Sequence, residues 1–310
     1  MHSFNAWRDG VRRVASAPAV VAVIWITTML VSVPLTLTIR QDVATSLGNS
    51  MAADAAARGM NYEWMQEFDA HATGIASTFR PTIVGFAAVL DNLGAYLDNL
   101  RPPRAIVAAV AAYAMVWAFL TGGVIDRYAA DRNRRSGFLS ACGRYFFRFV
   151  RLAIVTAILY AVLFGLLHRW MFDDLYPRLV AGVSVERTAF FVRLSLYAVF
   201  VLLLAVVNIV IDFAKIRAVV EDRRSVLVAL AASWRFIRRN SGSAMGVYIL
   251  DAMSFLLVLV LYSFVAPSAG GTGVMVWPAV LIGQAYVAGR VSVRLLFFAS
   301  EVALFQNRHH

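Results

Sequence analysis

The chain has 310 residues, of which 60% are hydrophobic and only 15% charged, and its mean hydropathy is +0.69. Soluble domains carry about 25% charged residues, so this composition excludes an ordinary soluble domain and points to a protein that meets lipid. The net charge of +11 would suggest nucleic acid in a soluble chain. In a polytopic one it follows from sign asymmetry across the membrane, and no nucleic-acid partner is expected.

The first apolar run, residues 17–39, follows a basic stretch holding Arg8, Arg12 and Arg13. It exceeds the ~7–15 residues of a secretory signal and ends in Leu-Thr-Ile-Arg, so it reads as a retained span, kinked at Pro34 where a helical hydrogen bond is lost. Residues 40–103 form the one sizeable extramembrane segment, and its pattern is helical. Asn61 is placed to cap a helix reaching Asp69, and Arg80-Pro81 starts another. In the latter Leu90, Leu93, Leu97 and Leu100 recur at steps of three and four, an apolar seam. Five further apolar runs follow, at residues 105–125, 152–167, 189–211, 244–265 and 274–305; roughly 20 helical residues cross a ~30 Å hydrocarbon core. The expected fold is all-α: a polytopic membrane helix bundle of six transmembrane helices, with two cytoplasmic amphipathic helices. Residues 1–310 form a single membrane domain with residues 40–103 as a helical periplasmic insertion.

The clearest amphipathic basic stretch is EDRRSVLVALAASWRFIRRN, residues 221–240, and DRNRRSGFLSACGRYFFRFVR, residues 131–151, echoes it. Laying Arg134-Arg135-Ser136 on Arg223-Arg224-Ser225 also brings Tyr145 onto Trp234 and Phe147 onto Phe236. This implies two repeat units, residues 104–170 and 188–265. Each would consist of a descending span, a surface helix and a returning span, and the two would be related by an axis along the membrane normal. One side of the first surface helix holds Phe138, Cys142, Tyr145 and Phe149; the second holds Leu227, Leu230, Trp234 and Ile237. Arg134, Arg135, Arg148, Trp234, Arg235, Arg238 and Arg239 are the expected lipid- or partner-contacting residues, a basic side chain near an anionic surface contributing ~1 kcal/mol. The plainer reading makes them topology signals on connecting helices.

The phrase at residues 220–236, Val-Glu-Asp-Arg-Arg-Ser-Val-Leu-Val-Ala-Leu-Ala-Ala-Ser-Trp-Arg-Phe followed by a span, resembles one in bacterial six-span families. These include the membrane domain attached to some glycerophosphodiester phosphodiesterases and its stand-alone relatives. The resemblance covers residues 205–265 and, beyond them, the span layout. It implies an integral protein of the bacterial inner membrane. It implies no phosphodiesterase activity, because the soluble phosphodiesterase domain is lacking and the membrane part of such families has no established catalytic residues.

With the N-terminus inside, cytoplasmic segments hold 20 basic residues against 8 acidic ones and outer segments 9 against 10, so both termini are expected in the cytoplasm. Glu63, Glu67 and His71 stack on one helix face, a weak metal candidate, since three ligands on one helix do not close a coordination shell. His168, beside Arg169-Trp170, is expected as a headgroup-level anchor. The loop Gly270-Gly-Thr-Gly273 lacks the lysine of a phosphate-binding loop, and no HExxH, GxSxG or CxxC motif occurs. No metal, cofactor or catalysis is therefore expected. The function expected is that of a non-enzymatic scaffold or accessory subunit. Its partners would be membrane lipids, anionic ones included, and a protein partner or second copy. The alternative is a small-solute or lipid transporter or permease subunit. Folding residues 244–305 about 268–271 sets Asp251 level with Arg290. An unpaired charge there costs ~2.5–3.5 kcal/mol, so the two are expected to pair, with Arg294 reaching toward Asp212.

Overall fold

A computed structural model describes residues 2–48, 51–58, 61–79, 86–100, 104–129, 137–267 and 276–309. Among them there are helices and connecting turns but no strand: α1 (His2–Ala15), α2 (Pro18–Leu47), α3 (Ala52–Arg58), α4 (Tyr62–His71), α5 (Phe86–Leu97) and α6 (Arg104–Ala129) in the first part. Then come α7 (Phe138–Val162), two wide turns of π-helix (Leu163–His168 and Trp170–Leu175), α8 (Tyr176–Val180), α9 (Glu186–Val220), α10 (Val226–Arg239), α11 (Ser241–Val265) and α12 (Val276–His309). Among the described residues five stretches are long and apolar enough to cross a membrane: α2, α6 from Ile106, the continuous rod Phe138–Val180, α9 and α11. Only 11% of the apolar window of α2 and 6% of that of the rod is buried inside the protein, so these helices need lipid around them. The chain is an all-α membrane protein. α12 is long enough, but Gln284, Arg290 and Arg294 dilute its apolar character and it is not among the five.

The helices begin and persist for local reasons. Pro18 opens α2, where a missing N–H costs nothing. The helix then runs through Pro34 and past Arg40 to Leu47, eight residues beyond the end expected for the first span. Within it Thr27 and Thr28 donate to the carbonyls of Val23 and Ile24, at 2.7 and 2.8 Å. A hydroxyl in lipid is thereby satisfied without a second helix. Asn61 caps α4 as expected, its side chain accepting from Trp64 N–H at 3.2 Å.

The two echoing segments fold differently. A surface helix within residues 131–151 and a separate third span over 152–167 were expected, but α7 passes unbroken through Arg151 and the helical rod continues to Val180. In the later segment the position matching Arg151 is Asn240, where α10 stops and α11 starts. The residues at the two places explain this. Arg151-Leu-Ala-Ile propagates a helix, whereas Asn240-Ser-Gly-Ser supplies breakers. Asn240 also accepts from the N–H of Ser243 and Ala244 at 3.0 and 2.9 Å, which seats the new helix start. Ser136 lies outside the described residues. The aligned aromatics do not share environments, since Tyr145 and Phe236 are buried while Trp234 and Phe147 are exposed. The buried faces match instead two residues further on, with Ala141, Cys142 and Tyr145 against Ala232, Ser233 and Phe236.

The chain divides into two compact units. One comprises residues 1–13, 117–250 and 297–310, with Phe200, Phe213, Phe305, Ile209 and Leu304 among its fully buried side chains. In it α1 is an amphipathic helix that docks through Gly10, where a Cβ would come within 2.7 Å of the Ser300 backbone nitrogen. α6 meets α7 at Gly123, where a Cβ would lie 2.5 Å from Cys142 Sγ. The π-helical turns, just before Pro177, carry His168 into a box of Phe164, Phe172 and Phe200, with ring centroids 4.5 to 6.1 Å away. His168 is therefore buried, at 6% exposure, and not the headgroup anchor expected; Trp170, half exposed, fits that position better. The other unit comprises residues 14–116 and 251–296. It contains a small core of Trp64, Met65, Phe68 and Ala76, and Trp25 donates to Gln284 at 3.1 Å. In the leucine seam Leu90, Leu93 and Leu100 are more than half exposed, and Leu97 is half-buried.

Gly10→Ala and Gly123→Ala should each destabilise the protein by about 1–3 kcal/mol, the usual cost of overpacking. Gly143→Ala, whose Cβ would meet nothing within 4 Å, should be neutral or slightly stabilising. Equal unfolding midpoints for the three variants in detergent solution would contradict the close approaches.

Candidate functional site

The end of α9 carries a charge into a buried place. Arg217 is 7% exposed, and its guanidinium lies over the rings of Phe236 and Phe305, 5.5 and 5.0 Å from their centroids. Cation–π contact of this kind gains strength where water is excluded, and it clamps the guanidinium plane. One turn on, Glu221 accepts from Arg217 Nη1 at 2.7 Å and also from Arg223 Nε. The carboxylate thus holds two arginines together. Arg217 Nε is buried and has no hydrogen-bond partner.

Arg217, Arg223 and Phe236 line one side of a cavity of about 370 Å³, completed by Arg235 and Arg239 of α10, Asn240 just after it and Arg308 of α12. Arg308 is steadied by Ser243 Oγ at 3.0 Å. Five arginines line the space, and the Glu221 carboxylate that pairs with Arg217 and Arg223 is not itself in the lining, so the cavity suits an anion. α10 turns Ala229, Ala232, Ser233 and Phe236 inward, which leaves Arg235, Arg238 and Arg239 exposed along with Leu227 and Trp234.

The other expected site residues are dispersed. Arg134 and Arg135 lie outside the described residues. Arg148 points away from the cavity, bonding Asp222 at 2.6 Å and the Ala218 carbonyl, in the last turn of α9, at 3.1 Å. Asp222, at a positive φ of 50°, is also met by Arg144 at 3.4 Å, and the hydrogen bond from Arg148 holds its carboxyl below the usual carboxylate range. Glu63, Glu67 and His71 share the exposed face of α4, but the imidazole Nδ1 is 2.8 Å from the Glu67 backbone carbonyl oxygen. Among the described residues no three His, Cys, Asp or Glu side chains are placed to hold a metal.

The expected ion pairs are rearranged. Asp251 is fully buried, but Arg290 is exposed, because its neighbour Gly289 is the residue that faces α11, packing at Val258. Tyr262 stacks on Tyr286 at 4.1 Å in the same register. Counting back from Val258 and forward from Gly289 sets Asp251 level with Leu296, about six residues beyond the expected place. Arg294, itself exposed, is then the arginine nearer in level. Asp212, the partner expected for Arg294, is held by Lys215 of its own helix at 2.6 Å. The sequence reading missed Arg217, Arg223, Glu221 and Arg308. The spacing of Arg217 and Glu221, four apart at the end of an apolar helix, was the one available signal.

Comparison with protein-family models, with curated proteins and with solved structures finds no match for this chain.

Two predictions follow from these contacts. Asp222→Asn keeps a residue type that tolerates positive φ and removes only the charge, so it should cost about 0.5 kcal/mol after allowance for solvent screening. Because the folded carboxyl titrates lower than the unfolded one, this contribution is complete above about pH 4 and is lost as pH falls through the folded value. A wild-type advantage that does not shrink as pH falls below about 4 would contradict it. In double-mutant cycles on thermal stability, Asp251→Asn and Arg290→Gln should add within about 0.3–0.5 kcal/mol, whereas Asp251→Asn and Arg294→Gln should not; the reverse pattern would restore the original register.

Proposed function

We propose that the chain is a non-enzymatic protein of the bacterial inner membrane, a scaffold or accessory subunit, whose basic cytoplasmic face works by contact with anionic lipid. In this reading α12 is the sixth span, both termini are cytoplasmic and residues 40–103 lie outside. The arginine asymmetry supports that orientation. The observation that carries the contact is on α10. Leu227 and Trp234, 70% and 46% exposed, stand beside Arg235, Arg238 and Arg239 on a helix whose other face is buried. In water those apolar surfaces would be left unburied. At a bilayer interface they enter the headgroup boundary while the arginines meet anionic headgroups.

Hydrogen exchange on the purified protein tests this. Amides of α10 should be more protected in nanodiscs containing phosphatidylglycerol than in phosphatidylcholine alone, and Leu227→Ser with Trp234→Ala should remove the difference. The same α10 exchange in both lipids would sink the reading.

A further inference from the structure

We propose that the arginine cavity is a binding site for a single phosphate group. The inference rests on the reading above that this basic face meets anionic groups, and it narrows that contact to one place and one chemistry. The cavity is built in advance of any ligand. Arg217 is more than nine-tenths buried, clamped by two phenylalanine rings and fixed at Nη1 by Glu221, while its Nε–H is buried without an acceptor. Arg217 therefore lines the cavity with a guanidinium already fixed in place, and an oxyanion there accepts from its remaining N–H groups together with those of the other lining arginines.

Charge and shape select among anions. Five arginines against Glu221 leave a surplus that a single carboxylate would not balance. A phosphate monoester carries about −1.5 to −2 and three acceptor oxygens, and the planar guanidinium fork matches it in pairs of hydrogen bonds. The volume of about 370 Å³ lies at the small end of ligand pockets. The one aromatic face in the lining, Phe236, is already covered by Arg217, so the cavity has no stacking surface for a nucleobase. The same chemistry is offered by a lipid headgroup, reached from the interface where α10 would lie, and by a soluble phosphate.

The test uses the full chain in nanodiscs, with the thermal unfolding midpoint followed against concentration. Inorganic phosphate is titrated in phosphatidylcholine nanodiscs against sodium chloride of equal ionic strength. In parallel, phosphatidic acid and phosphatidylglycerol are compared as minor lipids. Saturable stabilisation by phosphate, weakened about tenfold by Arg235→Gln or Arg239→Gln, as for loss of one charge-assisted hydrogen bond, and unchanged by Arg8→Gln on α1, supports the site with a soluble ligand. Stabilisation by phosphatidic acid alone, with the same dependence on those arginines, supports it with a lipid ligand. Arg217→Lys keeps the charge, removes the planar guanidinium fork and should weaken the saturable phase as the other two substitutions do; should it not fold, the two rim variants decide. If both anionic lipids stabilise wild type and rim variants alike, the phosphate site is overturned and the general lipid contact stands. If no anion stabilises the protein, both fall.

Discussion

A guanidinium buried at the end of a thirty-five-residue apolar helix is the constraint on which the arrangement around α9, α10 and α12 depends. Moving an unpaired charge out of water costs several kcal/mol even after relaxation, so Arg217 persists there only because its surroundings are fixed. Glu221 supplies the countercharge, and Phe236 and Phe305 supply two π faces from two other helices. Each of those rings is held in turn: Phe236 packs on Phe213 at 5.2 Å and on Phe305 at 5.5 Å. The aromatic cluster is thus both the core of this unit and the clamp on its buried charge. α10 cannot move without uncovering Arg217.

The same unit closes around its first helix by hydrogen bonds that only long polar side chains reach. Arg13 bonds Asp9 on α1, the Tyr128 carbonyl at the end of α6 and Gln306 on α12, and Gln306 donates onward to the Ala129 carbonyl. The last carbonyls of α6 would otherwise lack partners, as helix ends do. Here a basic residue caps a helix, so one arginine both adds to the positive charge of this face and holds its elements together.

Much of this fold was legible because lipid leaves few choices. Apolar runs of span length read as helices, and α2, α6, α9 and α11 lie where the runs are; Asn61 marks its helix start through a local side-chain bond. What depends on tertiary register was not legible. The register of α11 against α12 was expected from a fold about residues 268–271, whereas the packing of Gly289 at Val258 moves Asp251 from the level of Arg290 to that of Leu296. α1 carries no span-like signal, and its docking combines a missing Cβ at Gly10 with the long-range bonds of Arg13, neither of which a local pattern reveals. The cavity joins Arg217 and Arg308, far apart in the chain, and no spacing rule links them.

The two echoing segments show how a local break decides what a charge pattern does. Both carry arginines beside aromatic residues on a helix that follows an apolar span. In the first, the helix continues through Arg151 into the membrane rod, so Arg144 and Arg148 stay on a straight surface, stack on Tyr145 and close on Asp222. Their charge is answered within the protein. In the second, Asn240 ends the helix, and α10 becomes a short element packed on α9, free of the direction of α11. Its arginines then face the end of α9 and the last turns of α12, where one carboxylate stands against five guanidinium groups. A helix-propagating residue at position 240 would join α10 to α11 and carry Arg235 and Arg239 away from Arg217. The surplus charge is therefore a product of the break as much as of the arginine count.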